Sequence, residues 1–174
     1  MLGKEGLGQP GRRRHAERIA VEAGVLGCYV ALLAGDPAVY RKDAKFPAPE
    51  FGLYSTARDL ATFYNMMLNE GLHQGKRLLS KTSVQVMTAI HTNDLTSGHS
   101  PGMAFGLTWE VVKEPLGSLT YRSIGSFGHG GAFGTHGWID QKKRLVGVYL
   151  VQSTGGGSTY ARDAFMTMAA SALD

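Results

Sequence analysis

Apolar residues recur at helical spacing in three stretches of this chain and alternate with polar residues in others. Leu60, Phe63, Tyr64 and Met67 share one helical face. Thr56-Ala57-Arg58-Asp59 opens that helix as a capping box with Asp in place of Glu, and Asn69-Glu70-Gly71 ends it. Gly71 to Gly75 is a turn; Ser80 then caps a second helix, in which Val84, Met87 and Ile90 fall together. The last helix places Phe165, Met168, Ala169 and Ala172 on one face.

Between the helices the period is two. Phe105, Leu107, Trp109 and Val111 alternate with Gly106, Thr108 and Glu110, which predicts a half-buried strand. After a Pro/Gly turn over 113–118, Leu119 to Ile124 alternates again and leads into a glycine-rich stretch. Asp140 to Lys143 reads as a hairpin turn. Leu145 to Val151 is apolar on both faces, the mark of a strand covered on both sides. The fold class that follows is α+β: an antiparallel sheet flanked by helices, with the C-terminal helix over one face.

The N-terminal quarter is less regular. Residues 1–17 have the composition of a disordered tail, and 18–45 carry no assigned role. Arg18 to Ala34 is expected to form a short helix followed by an apolar strand, Leu26 to Leu33. Lys45-Phe46-Pro47-Ala48-Pro49 makes a stiff connector. The patterned region runs from residue 46 to residue 174.

Composition narrows the function. A chain of 174 residues is one domain by length, and 43% apolar with 18% charged residues is ordinary for a globular protein. Much of the net charge of +4 comes from Lys4 and Arg12-Arg13-Arg14, which lack interleaved aromatics, so no nucleic-acid partner is expected. The apolar run Ala23 to Ala34 is shorter than a membrane span, for which about 20 residues are needed. Compartment stays open; a cytoplasmic setting is slightly preferred and export is not excluded. The single cysteine, Cys28, sits in this run without a nearby His and reads as packing rather than nucleophile. No cofactor is expected: Gly155-Gly156-Gly157 lacks the signature of a phosphate loop, and His91, Asp94 and His99 match no standard metal spacing.

The chemistry-bearing residues concentrate in Ser126-Phe127-Gly128-His129-Gly130-Gly131-Ala132-Phe133-Gly134-Thr135-His136-Gly137-Trp138-Ile139-Asp140. Glycine inside a strand marks a bulge or a close approach to the backbone. Two readings stay open here, a strand edge that receives a ligand and a glycine-rich hairpin packed under a helix. Trp109 and Trp138 read as core aromatics.

Five blocks in order carry a resemblance: Gly52-Leu53-Tyr54-Ser55-Thr56-Ala57-Arg58-Asp59-Leu60, Gly75-Lys76-Arg77-Leu78-Leu79-Ser80, Phe105-Gly106-Leu107-Thr108-Trp109, Gly128-His129-Gly130-Gly131 and Trp138-Ile139-Asp140. Together they resemble the C-terminal part of the serine β-lactamase and penicillin-binding-protein-like family, which includes class C β-lactamases, D-alanyl-D-alanine peptidases and esterases. The resemblance implies a partial β-lactamase/transpeptidase-like fold and a site of three elements. A Ser-x-x-Lys supplies nucleophile and base, a Tyr-x-Asn assists proton transfer, and a Lys-Thr-Gly or His-Gly-Gly triplet on a strand holds the substrate backbone. Carried over, His129, Gly130 and Gly131 are the triplet, and the Ala132 N–H is the oxyanion donor.

The other two elements are missing. No serine in the chain has lysine three positions on; Ser55-Thr56-Ala57-Arg58 comes nearest and ends in arginine, which cannot act as base. No tyrosine has asparagine two positions on, Tyr64-Asn65 being adjacent. Ser126 is a weak substitute nucleophile, because residues three apart on a strand point to opposite faces and separate it from His129. His136 is expected to face solvent or the sheet packing.

Two functions follow: a family homologue inactive by itself that binds a ligand at the His129 strand or a partner, and an active hydrolase with a non-standard or borrowed nucleophile. The resemblance also implies that strands pairing with Arg144 to Val151 lie outside the matched blocks. That strand is then expected at an exposed edge, closed by Leu26 to Leu33 or by a second copy in a homodimer.

Overall fold

The computed structural model describes residues 18–23, 55–95, 100–131, 133–151, 153 and 159–173. The proposed tail, Leu26 to Leu33, Cys28, the proline connector and His99 lie outside the described residues. In chain order the elements are β1 (Arg18–Ala23), α1 (Ala57–Leu68), β2 (Leu72–His73), β3 (Lys76–Arg77), α2 (Lys81–Thr88), β4 (Met103–Phe105), β5 (Glu110–Val112), β6 (Phe127–Gly130), β7 (His136–Asp140), β8 (Leu145–Leu150) and α3 (Thr159–Ser171). A six-stranded sheet runs β1-β8-β7-β6-β5-β4, and β2-β3 is a separate hairpin. The architecture is α+β with the sheet between helices.

Five expectations need correction. Residues 18–23 form a strand, not the start of a helix, and β1 pairs in parallel with β8 from Arg18↔Leu145 to Ala23↔Leu150. β8 is therefore interior and every residue of it is buried, as its two-sided apolar pattern requires. The exposed edge expected at Arg144 to Val151 does not exist.

The strand expected over 105–111 is instead a hairpin, β4 and β5 in antiparallel register. Gly106 donates to the Trp109 carbonyl at 2.8 Å. Thr108 sits at φ 68, a left-handed turn that alternation cannot reveal. Residues 119–124, expected as a strand, follow a 3₁₀ turn at Gly117–Leu119 and continue as turns. On α3 the buried pair is Met166 and Ala170, flanked by Phe165 and Ala169, while Met168 is exposed.

α1 lies on one sheet face and α3 on the other. Thr56 caps α1 by accepting from the Asp59 N–H at 3.1 Å, and its hydroxyl donates to the Asp59 carboxylate at 2.9 Å. The Asp thus bonds the cap's side chain rather than its backbone. Tyr64, Met67 and Leu68 from α1 meet Phe127, Ile139, Val146 and Val148 in one core. Burying each such side chain is worth roughly 1.5–3 kcal/mol. Trp138, Leu145, Met166 and Ala170 form a second core beneath α3.

Two glycines let the layers close. A Cβ on Gly137 would lie 2.0 Å from the Tyr64 ring, and one on Gly147 would lie 2.0 Å from the Trp138 ring. The turn between β7 and β8 is held by Asp140, fully buried, whose carboxylate accepts from the N–H groups of Ser123, Lys142 and Lys143 at 2.9–3.1 Å. Arg144 then reaches the last turn of α1, donating to the Leu68 carbonyl at 3.2 Å and to Asn69 Oδ1 at 2.8 Å. These contacts fix β6 and β7 against α1.

Candidate active site

The site is built on the far end of β6. β5 pairs with β6 at Val111↔Phe127 and Glu110↔Gly128, and there the ladder stops. The left-handed Thr108 and the Gly106–Trp109 turn carry the chain back toward β4. On that side, His129, Gly130 and Gly131 therefore have no strand neighbour among the described residues. On the other side they pair with β7, as His129↔Gly137 and Gly130↔His136. Gly131 donates to the Thr135 carbonyl at 2.8 Å, shaping the following turn. Gly137 is packed under α1, as the hairpin reading has it, and the triplet lies along an edge that is open among the described residues.

His129 is exposed, on the face that Phe127 presents to α1. Its Nδ1 lies 2.6 Å from the Gly130 carbonyl. A carbonyl only accepts, so Nδ1 carries a proton and donates to it. The ring stands edge-on to Phe105, centroids 6.5 Å apart. Ala132, the expected oxyanion donor, lies outside the described residues.

Ser126 is fully buried, and its hydroxyl donates to the Ser123 carbonyl at 2.7 Å. It bonds neither His129 nor His136. Tyr64 and Asn65 do not reproduce a Tyr-x-Asn: Tyr64 is packed against Gly137, and burial pushes its phenol up to about 12. The phenol stays protonated at any working pH. His91 Nε2 lies 2.8 Å from the Val86 carbonyl, and Asp94 is ion-paired with Lys113, whose ammonium lowers the carboxyl pKa. No group of three His, Cys, Asp or Glu that could hold a metal occurs among the described residues.

On the opposite face, under α3, lies chemistry that no motif in the sequence announces. A cavity of about 260 Å³ is lined by Glu110, Tyr121, Arg122, Gly130, His136, Asp163 and neighbours. His136 is buried and bonds Arg122 Nη2 through Nε2 at 2.9 Å. Its pKa is lowered well below the ordinary value, by burial first and then by Arg122, Arg162 and His129. It is a neutral imidazole at neutral pH. The signal for Arg122 is a lone charge in the alternating run Leu119 to Ile124, a run whose period points to a strand and not to turns.

Comparisons with known proteins place the fold. Protein Rv1367c of Mycobacterium tuberculosis is 35% identical over 111 residues, 58% of this chain and 28% of its own length. The chain thus spans less than a third of that curated relative. A penicillin-binding protein homologue from Caulobacter crescentus superposes with TM-score 0.56 at 22% identity, over 70% of this chain and 32% of its own. EstCE1, described as a hydrolase with promiscuous acyltransferase activity, superposes with TM-score 0.60 at 16% identity, over 88% and 42%. At these identities the two structures establish the fold. No helix among the described residues is long and apolar enough to cross a membrane. The family model described as Beta-lactamase matches residues 8–170, and with the sheet of this topology behind that match, the chain belongs to the Beta-lactamase family.

Proposed function

We propose that these 174 residues form the substrate-strand portion of a β-lactamase-family serine hydrolase acting on ester or amide bonds, and that they do not catalyse by themselves. The observation that carries this reading is the open edge of β6. Beyond Gly128 the backbone of His129, Gly130 and Gly131 has no strand on its β5 side among the described residues, which leaves room for an extended substrate segment to pair there. The exposed His129 ring lies beside that edge. The Ala132 N–H is the proposed oxyanion donor, and losing one such donor typically costs about 10²–10³ in rate.

An oxyanion donor stabilises charge but attacks nothing. The chain contains no Ser-x-x-Lys and no Tyr-x-Asn. Ser126, the substitute in sequence, has its hydroxyl committed to Ser123. By this reading, the nucleophile and its base come from another segment or chain, and this stretch binds a small molecule at the His129 edge. We also propose a two-fold homodimer.

Covalent labelling tests the catalytic part. After incubation with a fluorophosphonate or a penicillin, the intact mass should not change, and a chromogenic cephalosporin or p-nitrophenyl ester should turn over no faster than a protein blank. A stoichiometric adduct on any serine would overturn the reading and locate the nucleophile. Turnover that survives repurification and vanishes in Ser126→Ala would make Ser126 that nucleophile.

A further inference from the structure

The cavity beneath α3 holds a buried guanidinium whose hydrogen bonds among the described residues all go to neutral groups. Arg122 is buried, and it makes no ion pair among the described residues. Nε donates to the Tyr121 hydroxyl at 2.9 Å, and Nη2 donates to His136 Nε2 at 2.9 Å and faces the Met166 sulfur at 3.8 Å. All three are neutral acceptors, and Nη1 makes none of these bonds. A buried guanidinium cannot shed its proton, so a missing counter-charge leaves a standing desolvation cost.

The second observation is on His136. A guanidinium only donates, so Nε2 must accept and the imidazole proton sits on Nδ1. That Nδ1–H is buried and has no partner among the described residues. It faces Gly130: a Cβ built there would stand 3.3 Å from it, so the absent side chain leaves the approach open.

We propose that this cavity binds a small carboxylate, with the Arg122 guanidinium as counter-charge and the His136 Nδ1–H as second donor. The site lies on the sheet face opposite His129, and it does not depend on how the open edge is used. A monoanion suits the cavity better than a dianion. Its wall already carries Glu110 and Asp163, and Asp163 is paired with Arg162 at 3.0 Å. With Asp163 offset by Arg162, phosphate would bring its second negative charge against Glu110, whereas a monoanion matches the single Arg122 guanidinium. The lowered pKa of His136 agrees with a neutral ring that donates through Nδ1.

Acetate is the probe. Titrated into the full chain at pH 7.5 in place of chloride at constant ionic strength, it should shift the His136 Nδ1–H resonance along a saturable isotherm and raise Tm. Charge-assisted bonds to arginine are among the strong ones, so Arg122→Gln should weaken acetate binding by about tenfold or more. Gly130→Ala places a methyl in the approach to Nδ1 at a position where φ is ordinary, and it should also abolish the isotherm. Inorganic phosphate should act more weakly than acetate. No saturable response to acetate, or an equal response to phosphate, would overturn the assignment. An unchanged response in Gly130→Ala would do the same, and that variant decides the matter should Arg122→Gln fail to fold.

Discussion

His136 shows what burial does to one residue. In the unfolded chain its imidazole titrates near the ordinary 6.5, while in the fold burial and the nearby Arg122, Arg162 and His129 hold it neutral to well below that. Tyr121, Glu110 and Asp163 also line its cavity, and the two carboxylates do not reverse the direction. The sign follows from linkage: below pH 6.5 the unfolded state binds a proton that the native state does not, so stability falls as pH drops. One such group contributes at most about 1.4 kcal/mol per pH unit. Urea melts between about pH 6.5 and pH 5 should show this slope. His136→Gln keeps an acceptor for Arg122, and its melts should lose one proton's worth of the slope. An unchanged slope would mean that the ring protonates in place. The sequence expectation for His136, solvent or sheet packing, left this open, because nothing in a period-two pattern says which buried cation will sit beside a ring.

At the scale of elements, the docking of α1 on β7 depends on a missing side chain. The Tyr64 ring occupies the place where a Gly137 Cβ would stand, 2.0 Å from Cε2. Gly137→Ala should therefore destabilise by about 1–3 kcal/mol, as overpacking does. In a Tyr64→Ala background the same change should cost much less, a coupling that a double-mutant cycle of urea melts would measure. Equal costs in both backgrounds would show that α1 does not press on β7. The helices were legible in advance because their evidence is local: Thr56 and Ser80 cap α1 and α2 through their own side chains, each bonded three residues on. The β4–β5 hairpin was not, since Leu107 and Trp109 keep the alternation of one strand while Thr108 reverses the chain between them.

For the whole molecule, one ground for a dimer has gone, because β1 covers the β8 edge. A second ground remains in exposed apolar side chains: Phe63 is 43% exposed, Leu78 61% and Val86 46%. Exposed apolar patches on a protein commonly mark an interaction surface. Sedimentation at micromolar concentration should therefore find a two-fold dimer, and Phe63→Ser with Val86→Ser should shift it toward monomer. A clean monomer of the unaltered chain would refute the dimer and leave these residues facing solvent.

What the sequence determined by itself is whatever depends on neighbours along the chain. Helix caps, the turn at Gly71–Gly75, the two-sided apolar run of β8 and the order of five family blocks are all of this kind. They were enough for the fold class and for the likeness carried by His129-Gly130-Gly131. Tertiary structure alone decided which strand closes the sheet, that β5 stops at Glu110 and leaves the His129 edge open, and that Arg122 and His136 meet beneath α3. Those outcomes join residues far apart in sequence, and hydrophobic periodicity records only that a position is buried, never against what.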